Sequence, residues 1–154
     1  MKIRQAEARD VAALTRLINA AFAVERPFIE GNRVDEIGAG DYMVKGKFLI
    51  AEDVAGMAAC VYCELRGERG YLGLLGVEPR VQGTGLGRRM MQAAEDYFRE
   101  AGCKEVELRV VNLREELPAF YRHLGYRETG IIEHPPVQVP AKVPLHFVQM
   151  LKML

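Results

Sequence analysis

The run Leu74-Leu75-Gly76-Val77-Glu78-Pro79-Arg80-Val81-Gln82-Gly83-Thr84-Gly85-Leu86-Gly87-Arg88-Arg89 leads a strand-like apolar stretch through closely spaced glycines into helical periodicity. The start of a helix leaves backbone N–H groups without intrahelical partners and concentrates partial positive charge. Glycines in the turn before it let an anion reach those amides and accept positive φ where the turn demands it. The junction therefore predicts an anion site suited to phosphate. Spacing narrows the ligand. A P-loop needs G-x-x-x-x-G-K followed by Ser or Thr, and neither Gly-Lys-Ser nor Gly-Lys-Thr occurs. A dinucleotide fold needs G-x-G-x-x-G, whereas Gly83, Gly85 and Gly87 run G-x-G-x-G. Taken alone, the glycines also admit a purely structural reading as a tight strand-to-helix connection.

Other residue types restrict the chemistry further. Cys60-Val61-Tyr62-Cys63 spells C-x-x-C, but it lies in an apolar run that reads as a strand, where residues three apart point to opposite faces. With Cys103 the thiols are odd in number, so buried thiols are expected and a disulfide framework or zinc site is not. His123, His134 and His146 lack metal-ligand spacing, so no metal is expected. Lys plus Arg equal Asp plus Glu at 21 each. With zero net charge, neither a nucleic acid nor a membrane partner is expected, and an anion must be captured locally. The chain opens without an apolar leader-like segment and contains no 18-residue apolar run, from which a cytoplasmic enzyme is expected.

The elements that must position the glycine turn follow from periodicity. The 154 residues are expected to form a single domain, residues 1–154, burying about 70% of the unfolded surface. A strand from Lys2 to Gln5 precedes a helix with Asp10 as N-cap and apolar residues at Val11, Leu14, Leu17, Ile18, Ala21 and Phe22. Between Glu25 and Lys47 the glycines and Pro27 predict loops around a short helix near Val34 to Ala39. Phe48 to Glu52, Gly56 to Leu65 and Tyr71 to Val77 read as an antiparallel meander with short links. A long helix from Leu86 to Ala101, stopped by Gly102, leads to an alternating strand from Glu105 to Val110, which makes a parallel crossover. A short helix over Pro118 to Leu124 and strands over Tyr126 to Glu133 and Leu145 to Met153 complete the chain. The four prolines from Pro135 to Pro144 predict a stiff extended loop.

Gln82-Gly83-Thr84-Gly85-Leu86-Gly87 resembles the Q/R-x-x-G-x-G/A motif of the GNAT superfamily of N-acetyltransferases. Leu75-Gly76-Val77-Glu78-Pro79 resembles the strand end before that motif, and Ala119-Phe120-Tyr121-Arg122-His123-Leu124-Gly125-Tyr126 resembles its F-Y-x-x-x-G-F/Y segment. The order of elements matches over essentially the whole chain. The resemblance implies an α/β (α+β) GNAT fold with a mixed central sheet of six to seven strands, an antiparallel meander followed by a parallel crossover, and about four flanking helices. It implies acetyl-CoA as cosubstrate, with its pyrophosphate held by amides of Gln82, Gly83, Thr84, Gly85, Leu86, Gly87 and Arg88. Backbone around Leu75, Gly76 and Val77 would line the pantetheine arm where two strands splay apart, and an N–H near Val77 would bond the thioester oxygen.

Tyr121 is the residue that the resemblance places beside the coenzyme sulfur. A phenol near pKa 10 is a weaker acid than a thiol near 8.5, so full proton transfer to the thiolate is uphill by about 2 kcal/mol and hydrogen bonding is the expected role. The competing reading is a core tyrosine capped by a backbone acceptor. Asn112 is a further candidate contact to the pantetheine arm, although it stands nine residues before Tyr121 rather than the seven common in the family. A turn-forming asparagine is the other reading.

The acceptor is expected to be a primary amine of a small molecule or protein, attacking directly in a ternary complex. Glu64, Glu68, Glu78, Glu133 and His134 are candidate proton acceptors, with Glu133 and His134 the better placed. Arg26, Phe28, Glu30, His134 and Lys142 are expected to shape the acceptor pocket. The apolar tail Leu145 to Leu154 would pair within the fold or across a homodimer. From a different class, the same fold could serve as a non-catalytic acyl-CoA sensor or interaction module, and a nucleotide-binding protein is a third reading.

Overall fold

A computed structural model of the chain describes residues 1–133 and 141–154. Among them, seven strands form one mixed sheet. β1 (Lys2–Gln5), β2 (Lys47–Asp53), β3 (Gly56–Arg66) and β4 (Arg69–Val77) run antiparallel to one another in sequence. β5 (Glu105–Val111) lies parallel to β4, and β7 (His146–Met153) is inserted between β5 and β6 (Arg127–Glu133). The resulting order is β1-β2-β3-β4-β5-β7-β6. The tail expected to pair within the fold or across a dimer therefore pairs within it, as β7.

Among the described residues, four α-helices flank this sheet: α1 (Val11–Ala21), α2 (Glu36–Lys45), α3 (Leu86–Glu100) and α4 (Glu116–His123). Apolar residues at helical spacing dictate their faces. Leu14, Leu17 and Ile18 of α1, with Tyr42 and Met43 of α2, pack on Phe48, Ile50, Cys60 and Tyr62 on one side. Met90, Met91, Ala94 and Phe98 of α3, with Tyr121 of α4, pack on Ala59, Val61, Cys63 and Leu108 on the other. Cys60 and Cys63 thus belong to opposite faces, as the strand alternation requires. Both thiols are buried, and loss of solvation pushes each up to about 12. With both of its faces covered, β3 is continuously buried from Ala58 to Cys63.

Three sequence expectations are corrected. Asp10 directly precedes α1 but makes no side-chain cap to it. A one-turn helix at Ala8–Asp10 already starts the winding, and the Asp10 carboxylate instead accepts from the Glu7 amide at 2.6 Å and from Arg4 Nη1 and Nη2 at 2.8 Å each. The second helix is not confined near Val34 to Ala39 but runs Glu36–Lys45, straight through Gly38 and Gly40. Asp35 caps it by accepting from the Gly38 amide at 2.7 Å, and burial of Ala39 and packing of Tyr42 and Met43 outweigh the low helix propensity of glycine. The last helix opens two residues before Pro118, which remains in its first turn. His134 to Pro140 of the proline-rich segment lie outside the described residues; Ala141 forms an isolated antiparallel bridge with Ile29.

One feature of the sheet prepares the site. β4 and β5 pair only at Arg69↔Glu105, Gly70↔Val106 and Tyr71↔Glu107. Beyond Tyr71 the two strands part, leaving Leu72 to Val77 and Leu108 to Val111 without each other. β4 also carries an extra residue against β3 between the pairs Cys60↔Gly76 and Tyr62↔Gly73. There Leu74 adopts φ 50°, a left-handed value uncommon outside glycine, and its carbonyl accepts from Cys60 Sγ at 3.4 Å. A bulge of this kind bends its strand and changes the direction of its edge.

Candidate active site

The parted strands open a cleft of about 1090 Å³, large enough for a coenzyme-sized ligand. One wall is the β4 end. The Glu78 amide donates to Ala58 O across the strand pair at 2.8 Å, so strand alternation turns the Val77 N–H toward the opposite, unpaired edge. The Val77 carbonyl on that edge accepts from Gln82 Nε2 at 3.1 Å, which ties the strand end to the glycine turn.

The turn itself is built around two left-handed glycines, Gly83 at φ 79° and Gly85 at φ 84°. A side chain at either would meet open space, so backbone conformation is what requires glycine there. Thr84 Oγ1 donates to Val81 O at 2.6 Å and stiffens the loop. Gly85 is the N-cap of α3 and offers no side-chain cap; the first bond into the helix is Arg89 N to Gly85 O at 3.2 Å. Among the described residues, no backbone carbonyl accepts from the amides of Gly83 to Arg88. Several donors and the positive end of a 15-residue helix therefore converge at the mouth of the cleft, beside the exposed Arg88, which forms no ion pair among the described residues.

Most sequence-selected residues meet here. Leu75, Val77, Gln82, Gly83, Gly85, Leu86, Gly87, Arg88 and Tyr121 all line the cleft. The Gln82 amide donates, at 3.4 Å, to Pro79 O, which leaves it less free than the amides after it. Gly76, Thr84 and Asn112 do not line it. A Cβ at Gly76 would lie 3.1 Å from the Ala21 Cβ, so Gly76 serves the packing of α1 on the sheet. Asn112 is committed to strand pairing: its amide donates to His146 O at 3.0 Å and its Oδ1 accepts from the His146 amide at 2.9 Å.

Tyr121 lies on α4 with its ring edge-on to Phe120 and Tyr126, at centroid distances of 5.1 and 6.0 Å. Its hydroxyl has no hydrogen bond among the described residues, so the backbone acceptor of a plain core tyrosine is not found. Burial raises the phenol well above its ordinary pKa, and the nearby Arg114 charge only partly offsets this. At neutral pH Tyr121 is a proton-bearing donor.

The proton-acceptor candidates fare differently. Glu68, in the β3–β4 turn, is exposed and faces Lys104 at 3.4 Å. Glu78 is occupied with the Arg80 amide and guanidinium, at 3.0 and 3.1 Å. Against the desolvation that would raise it, Glu64 is held low by bonds from Tyr62 Oη and Arg66. Glu133 is exposed opposite His146, and His134 lies outside the described residues.

Nor do Arg26, Phe28 and Glu30 line the cleft; Phe28 instead takes the Lys142 amide on its carbonyl at 2.8 Å. The first loop contributes Glu25, Asn32, Arg33 and Asp35, and the sheet contributes Tyr62, Tyr71 and Arg109. Arg114, just after β5, completes this end by pairing with Glu25 at 2.8 Å. Sequence reasoning missed these residues because charges in a glycine-broken loop look solvated. The only available signal was the loop's position before the meander.

The chain's relatives agree with this geometry. Residues 11–126 match the family model described as Acetyltransferase (GNAT) family. A mycothiol acetyltransferase of Beutenbergia cavernae is 37% identical over 71 residues, covering 46% of this chain. The chain spans only 23% of that relative's length in the match. By fold, the ribosomal-protein-alanine N-acetyltransferase of Brucella melitensis superposes with a TM-score of 0.79 at 20% identity, covering all of both chains. The Salmonella typhimurium protein yncA, solved with its cofactor acetyl-CoA, superposes with a TM-score of 0.77 at 21% identity, covering 99% of this chain and 93% of that one. With three quarters of its residues inside the family match and the parted strands and glycine turn in place, the chain belongs to the acetyltransferase (GNAT) family.

Proposed function

We propose that this chain transfers the acetyl group of acetyl-CoA to a primary amine by direct attack within a ternary complex. The observation that carries the reading is the meeting, on one cleft, of the Gly83 to Arg88 turn, whose amides no backbone carbonyl takes among the described residues, the edge of β4 at Val77 that β5 does not pair, and the donor Tyr121. Acetyl-CoA supplies the thioester whose acyl carbon the amine attacks. The amides of the turn and the α3 dipole bind its pyrophosphate, with Arg88 adding positive charge. Val77 N–H, already oriented by the sheet, donates to the thioester oxygen as negative charge develops. Tyr121 Oη donates to the departing sulfur. A cytoplasmic setting belongs to the same reading and is supported by three free, buried cysteines. Among the described residues no helix is long and apolar enough to cross a membrane.

A thermal-shift comparison of acetyl-CoA, CoA, ATP and NADH, joined to a thiol-release assay over an amine panel, tests this. Stabilisation by acetyl-CoA and CoA but not by ATP or NADH is expected, since a ligand that binds only the native state raises its stability by mass action. Thiol release with at least one amine is expected beside it. Saturation without thiol release would identify a binding module instead. Gly85→Asp, which puts a carboxylate among the amides, should weaken acetyl-CoA binding at least tenfold by calorimetry. Gly85→Ala separates the charge from the cost of a side chain at positive φ.

A further inference from the structure

The acceptor end of the cleft holds two charged groups of opposite sign, the buried Glu25 and the half-buried Arg33, each with one buried polar atom that has no hydrogen-bond partner among the described residues. Glu25 ends the one-turn helix Ala23–Glu25 after α1, and its side chain is 6% exposed. One carboxylate oxygen takes the 2.8 Å bond from Arg114 Nη1, while Oε1 is buried without a hydrogen-bond partner. Arg33, farther along the same loop, has a buried Nε that is likewise unpartnered. Among the described residues it forms no ion pair, and its guanidinium lies 5.6 Å from the centroid of the Phe22 ring. An unpaired carboxylate oxygen or guanidinium N–H is expensive away from water, and native proteins leave few such groups. Both groups line the cleft that Tyr121 lines. Arg114 lies between the two functions, holding Glu25 while its charge acts on Tyr121.

We infer that the acceptor is a small zwitterionic amine, a free amino acid, whose ammonium docks on Glu25 Oε1 and whose carboxylate docks on Arg33. This rests on the acetyl-transfer reading. A simple amine would answer Glu25 and leave Arg33 Nε unpaired, and a simple anion would do the reverse. A zwitterion satisfies both while importing no net charge. Small size follows from the strapping of this end: the Ile29↔Ala141 bridge and the Lys142 N to Phe28 O bond, at 2.8 Å, tie the segment before β7 across the loop that carries both groups. In the reaction, Glu25 Oε1 takes one proton from the bound ammonium and later returns it to solvent. The freed lone pair forms the C–N bond to the acetyl carbon, and the C–S bond breaks with its electron pair on sulfur. The second proton released by nitrogen ends on that sulfur, giving amide and free thiol.

The experiment measures thiol release by the full chain with α-, β- and ω-amino acids, each beside its carboxamide and its decarboxylated amine, and with short peptide amides. At least one amino acid should exceed its carboxamide and decarboxylated amine tenfold or more in kcat/KM. Arg33→Gln should collapse that ratio toward one by raising KM for the acid, and Glu25→Gln should lower kcat/KM a hundredfold or more. Both variants should retain the wild-type thermal shift with CoA. Carboxamides, simple amines or peptides that match the acids would overturn the inference while leaving acetyl transfer intact. Acetyl-CoA binding with no thiol release from any amine would remove both. If a variant fails to fold, the acid-to-carboxamide ratio of the wild type decides.

Discussion

Tyr121 combines a hydroxyl with no hydrogen bond among the described residues, a pKa raised by burial and a place on the cleft wall. Together these fit the proposed role of a hydrogen-bond donor to developing negative charge better than that of a base. Tyr121→Phe should lower kcat by a factor on the order of 10 to 1,000, at or somewhat below what a positioned acid contributes, and leave acetyl-CoA affinity nearly unchanged. Single-turnover kinetics with a slow acceptor, in which chemistry limits, is the measurement; an unchanged rate would take Tyr121 out of the mechanism. This residue was legible in the sequence because its motif is contiguous, from Phe120 to Tyr126. Glu25, Arg33 and Arg114 were not, because nothing local distinguishes a charge in a loop from one folded under it. Asn112 is a residue type suited to ligand contact, and its oxygen is engaged by the neighbouring strand.

At the level of elements, the site depends on where β4 and β5 stop pairing. Gly70 stands at the second of their three pairs, directly beneath α3. A Cβ there would lie 2.5 Å from Phe98 Cδ1, and Phe98 is fully buried. Gly70→Ala should therefore destabilise the fold by about 1–3 kcal/mol through overpacking, read as a lowered midpoint in urea unfolding. Gly67→Ala, in the exposed turn at φ 64° with nothing near its Cβ, is the control for backbone strain without crowding. Strand positions were readable to within two residues, since alternation and short links repeat along the chain. The bulge at Leu74 was not, because an extra residue in one strand is defined only against its partner. The extent of α2 was also hidden, since its glycines argued for a break that the Asp35 cap and the packing of Tyr42 overrode.

Across the whole molecule, Arg4 joins the first strand to the entry of α1 through Asp10 and to β2 through Glu52. The Arg4 hydrogen bond holds the buried Asp10 carboxyl at about 2, with the Glu7 amide assisting. A carboxyl depressed in the folded state contributes stability that is complete above its unfolded pKa, near 3.9, and is lost as pH falls through the folded value. Acid titration should thus remove about 2 kcal/mol between roughly pH 5 and pH 2. Asp10→Asn should be less stable at pH 7 and show a flatter acid limb, as measured by urea unfolding at a series of pH values. A parallel pH dependence in the variant would show that Asp10 is not the group responsible.

The anion-binding turn, the order of elements and the family were written in contiguous residues, because a strand, a glycine turn and a helix start act through local backbone geometry. The acceptor chemistry was not, since Glu25 and Arg114 are 89 positions apart and become a buried pair only when the first loop closes over the end of β5. The parting of β4 from β5 likewise exists only between strands. Tertiary structure therefore decided which charges lose their water, and with it which of them remain to be satisfied by a substrate.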